Sequence, residues 1–165
     1  MKLMRLARHL FAVRWSTRRH FTPRVRQAIE AAVREAESRH AGEIRFVVET
    51  AFDVVELWHD LSPRQRAVQL FGQLGVWDTA HNNGVLIYVL MADRVVEIVA
   101  DRGIAERVAQ SEWDEVCRQM ELHYREGRFG EGSVAGIHHV GRLLARHFPP
   151  VAEGKDELPN QPVLL

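Results

Sequence analysis

Residues 82–100 read NNGVLIYVLMADRVVEIVA, and this stretch decides the fold. Val85 to Met91 is an unbroken apolar run, the pattern of a strand buried on both faces. Asn83-Gly84 ahead of it is a strong turn signal. Asp93-Arg94 makes a tight reversal, and the β-branched run Val95 to Val99 returns as a second strand, so the pair forms a hairpin.

Working outward, Glu43 to Thr50 (EIRFVVET) alternates β-branched and aromatic residues and reads as another strand. Between it and the hairpin, Ser62-Pro63 is a cap followed by a first-turn proline, opening a helix through Ala67, Leu70, Phe71 and Leu74. Val54 to Trp58 reads as a short strand or a loop that packs Trp58. The helical crossover makes the strands at 43–50 and 85–91 parallel, and the hairpin makes the third strand antiparallel. Upstream, Thr22 and Pro23 start a helix whose buried face is Val25, Ile29, Ala32, Val33 and Ala36, ending near His40 to Gly42. Downstream, helices are expected over Gly103 to Ala109, Glu112 to Glu126 and Ser133 to His147. The order predicts an α/β protein: a three-layer α/β/α sandwich whose small mixed sheet of three to four strands is flanked by helices. Its divisions are a basic arm (1–19), an α/β domain (20–148) and an extended tail (149–165) that is apolar at Val163, Leu164 and Leu165.

The chain has 165 residues, 46% hydrophobic and 27% charged, enough for one packed domain and too apolar for global disorder. No run approaches the ~20 apolar residues of a membrane-spanning helix, and Arg8, His9 and Arg14 interrupt the centre a signal peptide needs. With one cysteine, Cys117, the composition fits a reducing compartment, so a soluble, cytoplasmic protein is expected. The net charge of zero hides an asymmetry. Residues 1–26 carry eight bases and no acid, whereas from residue 41 onward 19 acids face 12 bases. Within the arm, Leu3, Leu6, Ala7, Leu10 and Phe11 follow an amphipathic helical stripe, with Lys2, Arg5, Arg8 and His9 on the other face. Such a helix docks on its own domain, on a protein partner or second copy, or on an anionic membrane surface. Nucleic acid is disfavoured, because no recognised motif organises the arm's aromatics.

Standard catalytic signatures are missing. The nine histidines show no HxxxH pair, and His138 and His139 point about 100° apart on one helix. There is no GxSxG and no Walker lysine; Gly127, Gly130 and Gly132 read as a turn between helices. Cys117 reads as a small buried hydrophobe. What remains is a set of oxygen ligands. The inferred topology brings the loop entering Val85 and the loop leaving Val99 to one end of the sheet. Asp78, Asn82, Asn83 and Asp101 there are hard donors of the kind calcium or magnesium accepts, or else solvated turn formers. Thr50, Asp53 and Asp93 stand at the other end, where open α/β sheets more often bind ligands.

The run Asn82 to Ile87, the Asp93-Arg94 turn, the strand Val95 to Val99 with Glu97, and Glu126 to Gly132 leading into an apolar helix resemble the TPM domain family. The resemblance covers roughly residues 20–148 and implies an α/β/α sandwich. It also implies the acid phosphatase activity and calcium or magnesium binding attributed to some members. Asn82-Asn83-Gly84 stands where the family usually has Asp-Asn-Gly, and Ala100-Asp101-Arg102-Gly103 replaces a glycine-tyrosine-glycine turn. Losing one carboxylate should weaken a divalent site, with Asp101 as the compensating charge and Arg102 opposing it. A domain that acts through protein partners is therefore expected ahead of a metal-dependent phosphatase or a peripheral membrane protein.

Overall fold

The computed structural model describes residues 2–11, 14–150 and 157–165, and the side chains of all of these except residues 2, 3, 11 and 14–16. Lys2, Leu3 and Phe11 therefore have side chains outside the described residues. In chain order the elements are α1 (Lys2–Phe11), α2 (Arg14–His20), α3 (Pro23–Glu37), β1 (Glu43–Glu49), α4 (Val54–Trp58), α5 (Pro63–Gln73), β2 (Gly84–Leu90), β3 (Val95–Ala100), α6 (Arg102–Ala105), α7 (Gln110–Arg125), α8 (Phe129–His147) and β4 (Val163–Leu164).

The sheet order is β3-β2-β1-β4. β1 runs parallel to β2, with Glu43 opposite Gly84, and β2 is antiparallel to β3, with Val85 opposite Ala100. β2 is buried at every position, so alternate residues feed two cores. Val85, Ile87 and Val89 face α3, α7 and α8 through Ile29, Val33, Val116 and Val140. Leu86, Tyr88 and Leu90 face the opposite side, where Ala67 and Leu70 of α5 close over them. The α/β/α sandwich with a mixed sheet is thus the observed architecture.

Local chemistry accounts for most boundaries. The hydroxyl of Thr22 accepts from the Val25 amide and caps α3. Ser62 and Gln65 form a reciprocal capping box on α5. Asp53 and Glu56 form another, and it makes Val54–Trp58 a helix where strand or loop was expected. Trp58 does not pack; it is 84% exposed. α3 stops at Glu37, before the expected His40, and α6 is shorter than the expected helix over 103–109. α8 begins at Phe129, so Gly130 and Gly132 are helical and not part of a turn. Gly132 lies against Tyr124, whose hydroxyl is 2.9 Å from Ser133 Oγ.

The tail is partly a sheet element. Val163 and Leu164 add β4 parallel to β1, and Leu158 is buried in the α5-side core. A two-residue strand carries no periodicity, so its pairing was not legible from composition. α2 was likewise unforeseen. Among the described residues no helix is long and apolar enough to cross a membrane.

Candidate functional site

The two ends of the sheet carry the chemistry. At the end where β2 begins, the loops converge as the topology required. The Gly103 amide donates to the Asn82 carbonyl (3.1 Å), and the Asp101 amide donates to the Gly84 carbonyl (2.8 Å). A Cβ on Gly103 would lie 2.7 Å from the Asn82 carbonyl oxygen, so the loops touch backbone to backbone. Asn82 holds φ 51°, a left-handed conformation that asparagine tolerates better than most residues.

Asn83 is fully buried at this end. Its backbone amide donates to Thr79 Oγ1 (3.0 Å), and its side-chain Nδ2 donates to the Ala41 carbonyl. Its Oδ1 is buried without a hydrogen-bond partner. Asp101 caps α6 through Oδ1, which accepts from the Arg102 amide (2.6 Å), and leaves Oδ2 buried without a hydrogen-bond partner. Asp78 and Asn82, by contrast, are exposed. His40 is buried nearby, with Nδ1 accepting from the Gly42 amide (3.1 Å). Burial pushes its pKa down to about 4, so its ring is neutral near pH 7 and adds no cation to this end.

These residues meet a hard cation only halfway. Two buried, unpartnered oxygens are the donors such an ion would satisfy. Against this, among the described residues no three His, Cys, Asp or Glu side chains are grouped to hold a metal. The protein donor set is thus one carboxylate and one amide, and no phosphoester step is derived from it.

The opposite end lies beyond Glu49 and Leu90, and the arm covers it. Asp93 receives a hydrogen bond from Arg5 Nε (3.0 Å), and His9 Nε2 (3.2 Å) and Arg8 Nη2 (3.6 Å) stand around the same carboxylate. Arg5 and His9 are one helical turn apart, so both reach it from one face of α1. His9 Nδ1 accepts from the Phe52 amide (2.9 Å), and Arg5 also donates to the Leu61 carbonyl (3.3 Å). Further along the arm, Thr17 and Thr50 join hydroxyls at 2.8 Å. Because Thr50 Oγ1 donates to the Leu165 carbonyl (3.1 Å), Thr17 supplies the proton of that pair.

The arm therefore docks on its own domain, and it docks by its polar face. His9 is buried, whereas Met4 and Leu10 are 77% and 60% exposed, Ala7 is exposed and Leu6 is half-buried. Apolar periodicity alone suggests the reverse orientation; the deciding partner, Asp93, lies more than eighty residues away. Asp93 thus anchors a helix besides closing the hairpin turn.

A buried polar set under α5 also escaped the sequence reading. Tyr88 Oη donates to Glu49 Oε2 (2.6 Å), and Arg66 makes a forked contact with the same carboxylate (Nη2–Oε1 2.6 Å, Nε–Oε2 3.0 Å). Burial, then the Glu49 charge, raise the Tyr88 pKa above its ordinary range, and the Glu49 hydrogen bond raises that of Arg66. The three side chains satisfy one another, a structural lock across β1, β2 and α5. Cys117, with its pKa pushed up to about 12 by burial and by Glu97, stays a thiol near neutral pH, consistent with packing and not reactivity.

The TPM domain profile matches residues 17–143. Among solved structures, BA42 from the psychrophilic bacterium Bizionia argentinensis is 34% identical, with a TM-score of 0.77 over 87% of this chain and 94% of that one. An N-terminal domain from P. gingivalis is 20% identical, with a TM-score of 0.62 over 77% of this chain and 78% of that one. An N-terminal domain from Corynebacterium glutamicum is 13% identical, with a TM-score of 0.55 over 86% and 79%. The latter two share the fold. No curated protein matches the chain. The sandwich, the converging loops before β2 and after β3, and the profile match together place this chain in the TPM domain family.

Proposed function

We propose that this TPM domain is a protein-docking module whose partner surface is formed by α1 and α4. The observation that carries the reading is the set of exposed apolar side chains on two short helices, α1 and α4. α1 spends its polar face on Asp93 and leaves Met4 and Leu10 exposed; α4 presents Val54, Val55 and Trp58. Arg5 and His9 bond to Leu61 and Phe52, in the segments that flank α4 on either side. Exposed apolar groups gathered on one surface mark interaction sites more often than scattered single ones do. An exposed tryptophan is also a frequent hot-spot residue.

Leu10→Ser combined with Trp58→Ser should leave the fold intact, because both side chains are exposed and surface changes usually cost within about 0.5 kcal/mol. The variant is expected to lose either concentration-dependent self-association in sedimentation or the specific partner captured by the immobilised wild type. An unchanged mass and an unchanged captured set would contradict the reading. Binding of the wild type to anionic vesicles, lost in the variant, would replace it with a membrane role.

A divalent cation at the Asn83–Asp101 end is a second reading, favoured by the two unpartnered buried oxygens. Calcium or magnesium at about 100 times its dissociation constant should add ~2.7 kcal/mol. For a domain of this size that is roughly 5–10 °C in midpoint. Asp101→Asn keeps a capping side chain and removes the charge, so it should abolish the shift. Equal midpoints in EDTA and in either ion would remove this reading.

A further inference from the structure

We infer that the outer edge of β1 is a strand-addition site for an extended partner peptide, and that the chain's own tail, residues 157–165, is the resident competitor there. This edge shares no residue with the α1–α4 surface. Only Val47 and Val48 of the seven β1 residues pair with β4. Where β4 does not reach, the Ile44 amide donates to Glu37 Oε1 from the end of α3 (2.8 Å). A strand edge that is only partly covered is a template for another strand. The tail lies outside the TPM-matched residues 17–143, so membership of the family implies nothing about what occupies this edge.

The edge is built to hold main chain. Glu43 is buried, and its Oε2 accepts from the amides of Leu158 (3.1 Å) and Glu157 (3.3 Å). Arg45 is half-buried and donates through Nη1 to the Pro159 and Gln161 carbonyls, the latter at 3.0 Å. Further along, the Leu165 amide donates to the Val48 carbonyl (2.9 Å), and the Thr50 amide donates to the Leu165 carbonyl (3.1 Å). Two charged side chains of one strand thus serve peptide groups and not side chains. In strand addition such main-chain bonds supply affinity, and pockets for individual side chains supply selection. Leu158 is the anchor, buried in the α5-side core. Five and six residues on, Val163 packs on that core and Leu164 on the opposite one, as successive strand residues do. Both are only half-buried, and Leu165 is 42% exposed. A two-residue strand with one buried anchor is a weak closure beside the seven-residue pairing of β1 with β2. The ligand class is accordingly an extended peptide carrying a leucine and, five and six residues later, two apolar residues.

A labelled peptide of residues 157–165 (ELPNQPVLL), titrated with the full chain and read by fluorescence anisotropy, tests the site. Leu158→Asp in the full chain would place a carboxylate in an apolar core and should release the tail. This variant is expected to bind the peptide saturably, and the wild type at least tenfold more weakly, because its own tail competes. Adding Arg45→Gln to Leu158→Asp should weaken the peptide at least tenfold. Hydrogen exchange on the wild type gives a second measurement that needs no variant. The Thr50 amide, covered by the tail, should exchange at least tenfold faster than the Ile87 amide in the middle of β2. No saturable binding, equal affinity in wild type and Leu158→Asp, or a Thr50 amide as slow as that of Ile87 would overturn the site. Dimers of the wild type that Leu158→Asp abolishes would overturn the partner peptide in favour of a second copy's tail.

Discussion

Gly84→Ala is expected to destabilise the domain by about 3 kcal/mol or more, at the upper end of what overpacking normally costs. A Cβ at residue 84 would sit 2.0 Å from the Val76 carbonyl oxygen and 3.0 Å from Val76 Cγ1. Neither side has room to yield. Val76 is buried, and its amide is held by the Phe71 carbonyl (3.0 Å). Gly84 is fixed by its register opposite Glu43 and by the Asp101 amide on its carbonyl. Gly72→Ala is the internal control. It lies exposed in α5 with nothing within 4 Å of an added Cβ, so helix propensity alone should make it neutral or stabilising by up to ~1 kcal/mol. Denaturant midpoints of the two variants measure the contrast, and a Gly84→Ala protein as stable as Gly72→Ala would refute the packing argument. The glycine of the Asn-Asn-Gly motif is therefore explained by close backbone approach, independent of any ligand.

Arg66→Met is expected to cost about 3 kcal/mol, because removing one partner leaves the other charge buried. Glu49 is 5% exposed and would keep only the Tyr88 hydroxyl. At about 2–4 °C per kcal/mol for a domain of this size, the melting midpoint should fall by roughly 6–12 °C. The double variant Glu49→Leu with Arg66→Met should recover much of that loss, since an apolar replacement of a buried pair is often nearly neutral. Equal melting of Arg66→Met and wild type would show the fork to be solvated and unimportant.

The sheet and its covering helices were legible because their signals are local. Val85–Met91 is too apolar for a half-wet strand, and Thr22-Pro23 and Ser62-Pro63 announce their helices within three residues. Convergence of the Asn82–Gly84 and Asp101–Gly103 loops followed from strand directions alone. For α4 two local signals compete: Asp53 and Glu56 have capping-box spacing, whereas the β-branched pair Val54-Val55 favours a strand, and the structure follows the box. The orientation of α1 was not legible, since it depends on Asp93, nor was β4, whose partner is β1 more than a hundred residues earlier. Asp78 illustrates the remaining gap. Sequence proximity grouped it with Asn83, but the turn at Gly75 to Asp78 leaves it exposed.

The docking proposal depends on α1 being held by its polar face, and hydrogen exchange along α1 in wild type and Asp93→Ala tests that most directly. The Asp93 carboxylate is the shared partner of Arg5, Arg8 and His9, so its loss should free the helix. A ten-residue helix is marginal in isolation, so release should also unfold it. The account predicts protected amides over residues 6–10 in the wild type and at least tenfold faster exchange there in Asp93→Ala, with β2 unchanged. Equally fast exchange in both proteins would mean that the arm is not docked through Asp93, and would contradict the surface built on it.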